Sequence, residues 1–255
     1  MAGTTTRESQ RGISGLAQRA NPAFATGAVA VPILALVGAI ASGNTQALVY
    51  VHVMAGVLWT GTDLFMGAVL GPVVGGLDPE ERGSFFARFT PKMTFLMPVL
   101  AMVTITAGIK MGLDRGFPHF MPWLALMTAA TTIPIVLLIG VQFDALTAPK
   151  TLVALAVAVV GSGLLLVTTL PDFGMASPWV IATLAIVTLL TIFGFGVILP
   201  GEVRIYRQLT SGDPDYEIIG QIGMRNAKLG GLQGALQLSI IFLMVGLRYG
   251  YGLTV

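Results

Sequence analysis

Seven stretches of this chain are too long and too apolar to belong in water. They fall at about 24–42, 46–72, 92–112, 121–142, 151–170, 177–200 and 229–248, each near the ~20 residues an α-helix needs to cross a bilayer. In hydrocarbon every backbone N–H and C=O must be satisfied within the chain, so runs of this length fold as helices. The pattern predicts an all-α integral membrane protein with seven transmembrane helices in the cell membrane. Composition agrees: 10% of the 255 residues are charged, against about 25% in an ordinary soluble domain.

Turn-like breaks separate the runs: "SGNTQ" at 42–46, "LDPEERG" at 77–83, "LDRGFP" at 113–118, "TAPK" at 147–150, "LPDFGMASP" at 170–178, and the charged stretch Glu202–Lys228. Residues 1–22 are polar and read as a cytoplasmic tail, leaving 23–255 as one membrane domain. Lysine and arginine concentrate on the cytoplasmic side of membrane proteins. An inside N-terminus puts Arg7, Arg11, Arg19, Arg82, Arg88, Lys92, Lys150, Arg204, Arg207, Arg225 and Lys228 inside, and Lys110, Arg115 and Arg248 outside: 11 against 3 of the 14 basic residues. The expected orientation is N-terminus in and C-terminus out.

The chain also carries an internal echo. "FMGAVLGP" (Phe65–Pro72) closes the second run and "FGFGVILP" (Phe193–Pro200) the sixth, with phenylalanine, a small residue, valine and proline at the same offsets. The third run ends "AGIKMG" (Ala107–Gly112) and the seventh "VGLRYG" (Val245–Gly250). The offset of 128 that lays Pro72 on Pro200 also lays the first run on the fifth. This predicts parallel three-helix repeats at 24–112 and 151–250 around a linker helix at 121–142, an arrangement known from transporters. Recurrence of Gly and Pro at membrane-helix ends is the plainer explanation of the same marks.

The second run, "VYVHVMAGVLWTGTDLF" (Val49–Phe65), carries ionisable groups where they are expensive. His52, Trp59 and Asp63 stand 7 and 11 residues apart, which at 100° per residue returns each to within about 20° of one direction. Gly56 lies on the same side, leaving room for a flat group or a close helix. An ionisable side chain at membrane depth costs about 2.5–3.5 kcal/mol on insertion scales and normally has a partner or a function. Three readings of His52 stand side by side: a hydrogen bond to a carbonyl or hydroxyl on a neighbouring helix, ligation of a metal or haem iron through one ring nitrogen, or a proton-relay or substrate contact. Asp63 reads as a buried ion pair with Lys92 or Arg204, or as a proton or substrate contact. His119, the other histidine, sits in "RGFPHFMPW" and offers a second ligand from the loop. The 128 offset lays His52 on Val180 and Asp63 on Thr191, so the polar stripe belongs to one copy. The basic residues of "PGEVRIYRQL", "ERGSFFARFTPK" and "GMRNAK" could dock a soluble partner or hold an anionic substrate, but headgroup anchoring alone explains them.

His52, Trp59–Gly61, Pro72, Glu81–Arg82, Phe86, Arg88–Phe89 and Thr106–Gly108 together form a pattern that resembles the HemJ-like and CopD-like group of helical membrane proteins. The resemblance spans about 46–112, with a fainter echo in 177–250. HemJ-like proteins are associated with haem binding and protoporphyrinogen oxidation, and CopD-like proteins with copper uptake. By position, the resemblance implies a haem or metal site at His52. This chain departs from the HemJ pattern in having seven helices rather than four, with the histidine on the second.

Three functions stand as expectations. The first is a haem b protein passing electrons to or from quinone, with His52, His119, Gly56 and Trp59 around the cofactor. The second is a transporter or permease using Asp63. The third is an accessory subunit of a larger membrane complex. With no cysteine, thiolate metal sites and iron–sulfur clusters are excluded. No nucleotide-binding, zinc-protease or serine-triad motif occurs, and a net charge of +2 gives no sign of a nucleic-acid partner.

Overall fold

The computed structural model describes residues 12–249. Among the described residues eight helices run in order: α1 (Gly12–Ala20), α2 (Pro22–Ala41), α3 (Thr45–Gly75), α4 (Pro79–Asp114), α5 (Phe120–Gln142), α6 (Pro149–Asp172), α7 (Pro178–Leu209) and α8 (Tyr216–Tyr249). There is no strand among the described residues. The seven helices from α2 to α8 are each long and apolar enough to cross a membrane. Arg7, Arg11 and Gly250, which entered the charge and repeat arguments, lie outside the described residues.

Helix starts are written in local chemistry. Asn21 accepts from the N–H groups of Ala23 and Phe24 at the head of α2, and Asn44 from those of Gln46 and Ala47 at the head of α3, each satisfying donors the first turn leaves open. Pro22, Pro149 and Pro178 stand in first turns, where a missing N–H is harmless.

Two expected boundaries move. The runs at 92–112 and 229–248 are only the apolar parts of α4 and α8, which begin at Pro79 and Tyr216. Hydropathy marks where a helix is greasy, not where it starts. The polar extensions pack on each other through glycines. A methyl group on Gly83 would lie 2.1 Å from the Tyr216 carbonyl oxygen, and one on Gly223 would lie 2.2 Å from the Phe86 ring. Likewise α7 continues through the charged residues to Leu209. The polar tail is helical over Gly12–Ala20; Arg19 donates to the Leu209 carbonyl at 3.1 Å and the Tyr206 hydroxyl to that of Gly12 at 2.9 Å.

The chain forms two compact units, Met1–Ala107 with Gly201–Leu232, and Gly108–Pro200 with Gln233–Val255. These divisions cut across the proposed repeat boundaries. The first unit is centred on Met66, Val74, Phe86, Ile205, Ile219 and Ile222. Arg82 donates to the carbonyls of Val74, Gly75 and Leu77, closing the end of α3. The Arg82 and Phe86 of the family-like pattern are thus a cap and a core residue.

The second unit packs α5 against α6 and α7, around Phe120, Met127, Val180 and Leu184. Outward faces are apolar: Val153, Val157, Leu164 and Val167 of α6 are each more than half exposed, as suits a lipid environment.

Candidate functional site

The buried stripe of α3 runs through Leu48, Val51, Ala55, Trp59, Asp63 and Met66. His52 and Gly56 lie at its edge, half-buried. The His52 Nδ1 is 2.8 Å from the Thr104 carbonyl of α4. A carbonyl only accepts, so Nδ1 carries the hydrogen and, in the neutral ring, Nε2 keeps the lone pair. The space over Gly56 is taken by Thr104, whose Cγ2 would lie 3.4 Å from an added methyl. Thr104 of α4 is thus the neighbour on that side. Trp59 is buried in the stripe.

Asp63 lies deeper, 3% exposed. Its Oδ1 rests against Gly230 of α8, where an added methyl would come within 3.2 Å of it. Immediately beyond, α3 and α8 meet backbone to backbone: a methyl on Gly67 would stand 2.2 Å from the Gly231 Cα. Glu202 of α7, 8% exposed, approaches Asp63 and the Thr94 side chain of α4 closely enough for electrostatic interaction. Beside Glu202, the Arg225 guanidinium and the Asn226 amide close over Gly201, at 2.6 and 2.9 Å from an added methyl. Four helices of one unit thus surround a buried pair of carboxyl groups.

Lys92 and Arg204 are the bases expected beside Asp63. Lys92 donates to the Arg88 carbonyl of its own helix at 3.4 Å, and Arg204 lies near Arg225. His119 belongs to the second unit. It caps α5 with a left-handed φ of 56°, and its Nδ1–H donates to the Asp172 carbonyl at 2.7 Å. Its ring lies over Gly174, whose carbonyl accepts from Trp123 Nε1 at 3.0 Å. An open cavity of about 490 Å³ adjoins it, lined in part by Phe117, Phe120, Met121 and Phe173. Both histidines therefore have Nδ1 committed to a main-chain carbonyl. Among the described residues, no cluster of three or more His, Asp or Glu side chains could hold a metal ion.

Sequence reading placed Glu202, Arg225 and Asn226 among headgroup anchors and so missed them. A signal was present. Glu202, Ile205 and Leu209 share one face at spacings of 3 and 7, and all three are buried. An acid in phase with core residues is a buried acid. Asn226 falls likewise in phase with Ile219, Ile222 and Gly230.

Two stretches depart from α-geometry. Met66–Leu70 of α3 and Ile192–Ile198 of α7 are π-helical. The 128 offset lays 66–70 onto 194–198, so the two bulges end at equivalent positions. Such bulges are rare and frequent at functional sites. In the second unit, glutamine amides supply donors around the bulge: Gln142 Nε2 to the Gly196 carbonyl at 2.6 Å and Gln233 Nε2 to that of Leu190 at 2.9 Å.

No family model, curated protein or solved structure matches this chain.

Proposed function

We propose that this chain is an ion-coupled transporter of the cell membrane, with the Asp63–Glu202 pair as its coupling site. The observation that carries this reading is the burial of two acids in one unit, 3% and 8% exposed, within reach of each other's charge. Intramembrane carboxyl groups are retained at a cost and mark ion pathways and proton relays. The π-helices at matching positions support the three-plus-one-plus-three repeat, since transporters commonly interrupt corresponding helices of their two halves near the binding site. In this reading the N-terminus is inside and the C-terminus outside, and the acids lie toward the cytoplasmic half.

The test is charge movement. Proteoliposomes adsorbed on a solid-supported membrane are given a pH jump and, separately, a sodium jump at constant osmolarity. Transient currents in the wild type that collapse in Asp63→Asn are expected. Absence of charge movement under both jumps would remove the coupling reading.

A second reading, haem b at His52 with electron transfer to quinone, is favoured by one detail. Ligating histidines usually donate their other ring N–H to a carbonyl or carboxylate, as His52 does to Thr104. The site fits a single axial nitrogen, while Thr104 fills the side at Gly56 that a porphyrin face would use. Absorption spectra of protein from haem-replete cells, oxidised and reduced, decide it. A Soret band absent in His52→Ala would establish the ligand, and a colourless wild type would end the idea.

A further inference from the structure

We propose that the open cavity of the second unit binds a small organic ammonium ion, an alkylated nitrogen cation held between phenylalanine rings and Asp172. The site is independent of the Asp63–Glu202 pair, since every residue on its wall belongs to the second unit. The cavity measures about 490 Å³, within the ~300–1,000 Å³ of small-molecule sites. Phe117, Phe120 and Phe173 stand on its wall with Met121, His119 and Asp172, and Asp172 is the one charged residue there. Arg115, between the lining residues Leu113 and Gly116, is not on the wall, and Lys110 is paired with Asp114. Among the described residues no base forms a salt bridge with Asp172.

These features select the ligand by its chemistry. Apolar walls favour alkyl groups, and the faces of aromatic rings attract a cation within about 6 Å of the ring centre. A neutral hydrophobe would leave Asp172 unmatched, and an anion would be repelled by it. A bare metal ion is the poorer match, because the wall offers one carboxylate and one imidazole whose Nδ1 is committed to the Asp172 carbonyl. An alkylammonium meets both demands, apolar at its surface and positive at its centre. The wall is also built in advance. Phe173 stacks on Trp123 with 5.8 Å between ring centres, and Trp123 Nε1 donates to the Gly174 carbonyl. With the His119 bond to Asp172, these contacts tie the start of α5 to the end of α6 and the residues after it, so that little ordering cost remains at binding.

Titration calorimetry of the full chain in detergent, with choline as the probe, tests this. Saturable binding is expected, about 10-fold tighter than that of the neutral isostere in which carbon replaces nitrogen. Phe173→Leu should weaken choline binding by roughly 2- to 30-fold, and Asp172→Asn by at least about 5-fold. Asp172→Asn keeps the main-chain carbonyl that His119 uses, and so keeps the fold. Asp144→Asn, on the turn between α5 and α6, should bind as the wild type does. If Phe173→Leu fails to fold, the comparison of choline with its isostere on the wild type still decides. No saturable choline binding, equal binding of the neutral isostere, or full affinity in Asp172→Asn would each overturn the proposal. So would loss of choline binding in proteoliposomes when phosphatidylcholine replaces phosphatidylglycerol, which would make the occupant a lipid headgroup instead of a soluble ion.

Discussion

The contact of α3 with α8 at Gly67 and Gly231 gives the sharpest quantitative expectation. A methyl group on Gly67 would sit 2.2 Å from the Gly231 Cα and 3.0 Å from its nitrogen; one on Gly231 would sit 2.7 Å from the Gly67 Cα. Carbon atoms in good contact are about 3.5–4.0 Å apart, so Gly67→Ala needs the two backbones to part by roughly 1.3–1.8 Å. No side chain can rotate out of the way, because both partners are main chain. Overpacking of this kind costs about 1–3 kcal/mol, partly offset by the ~0.5–1 kcal/mol that alanine gains over glycine within a helix. A net loss of about 1–2 kcal/mol, at ~2–4 °C per kcal/mol for a chain of this size, predicts a melting temperature roughly 2–8 °C lower. Thermal unfolding in detergent, followed by size-exclusion chromatography, measures it. Gly38→Ala is the control, since nothing lies within 4 Å of a methyl there, and it should match or slightly exceed the wild type. If Gly67→Ala melts no lower than Gly38→Ala, the backbone contact is wrong.

Gln142→Leu should lower stability by about 1–3 kcal/mol by leaving the carbonyl of the buried Gly196 without its donor, whereas Gln46→Leu, at an exposed position, should change the same melting curve little. Arg82→Ala, which removes donors to three carbonyls at the end of α3, should cost a comparable ~1–3 kcal/mol, and Arg82→Lys should restore only part of it. Because the chain has no cysteine, single cysteines report topology without background. Ser211→Cys should react with an impermeant maleimide only in inside-out vesicles, and Ser177→Cys only in right-side-out ones; the opposite labelling would invert the orientation.

Hydropathy alone located all seven long helices, because a membrane-spanning helix must be apolar over nearly its whole length. It misplaced the starts of α4 and α8, where Glu80 and Glu81 in a first turn look like loop by charge yet suit a helix N-terminus. Residues 83 and 216, and 86 and 223, meet there only because glycine permits close approach, and pairing between distant segments is not written in either one. The α3 stripe was legible from periodicity, and Asp63 with it. Its neighbours were not: Glu202 and Asn226 stood among basic residues whose interfacial role explained the whole segment. The partner of His52 was beyond sequence reasoning for another reason. It is a main-chain carbonyl, and every residue has one.

The π-helix at Met66–Leu70 also acts on the phase of its own helix. Thr60 apart, buried positions on α3 advance by threes and fours up to Met66, then by five to Gly71, and Val74 comes next at 1% exposure. The bulge therefore behaves as one supernumerary residue, absorbed so that the last turn of α3 returns to the same face. Deleting any one residue from 67–70 would restore ordinary α-geometry and leave Val74 on the same face, whereas deleting one elsewhere in α3 would turn everything beyond it by about 100°; inserting one elsewhere in α3 would have no such slack to use. A lineage of such chains can thus gain or lose a residue at this point of the helix with its packing recoverable, and at few others. Among chains descended from a common ancestor with this one, length differences within the second membrane helix should therefore gather at the bulge.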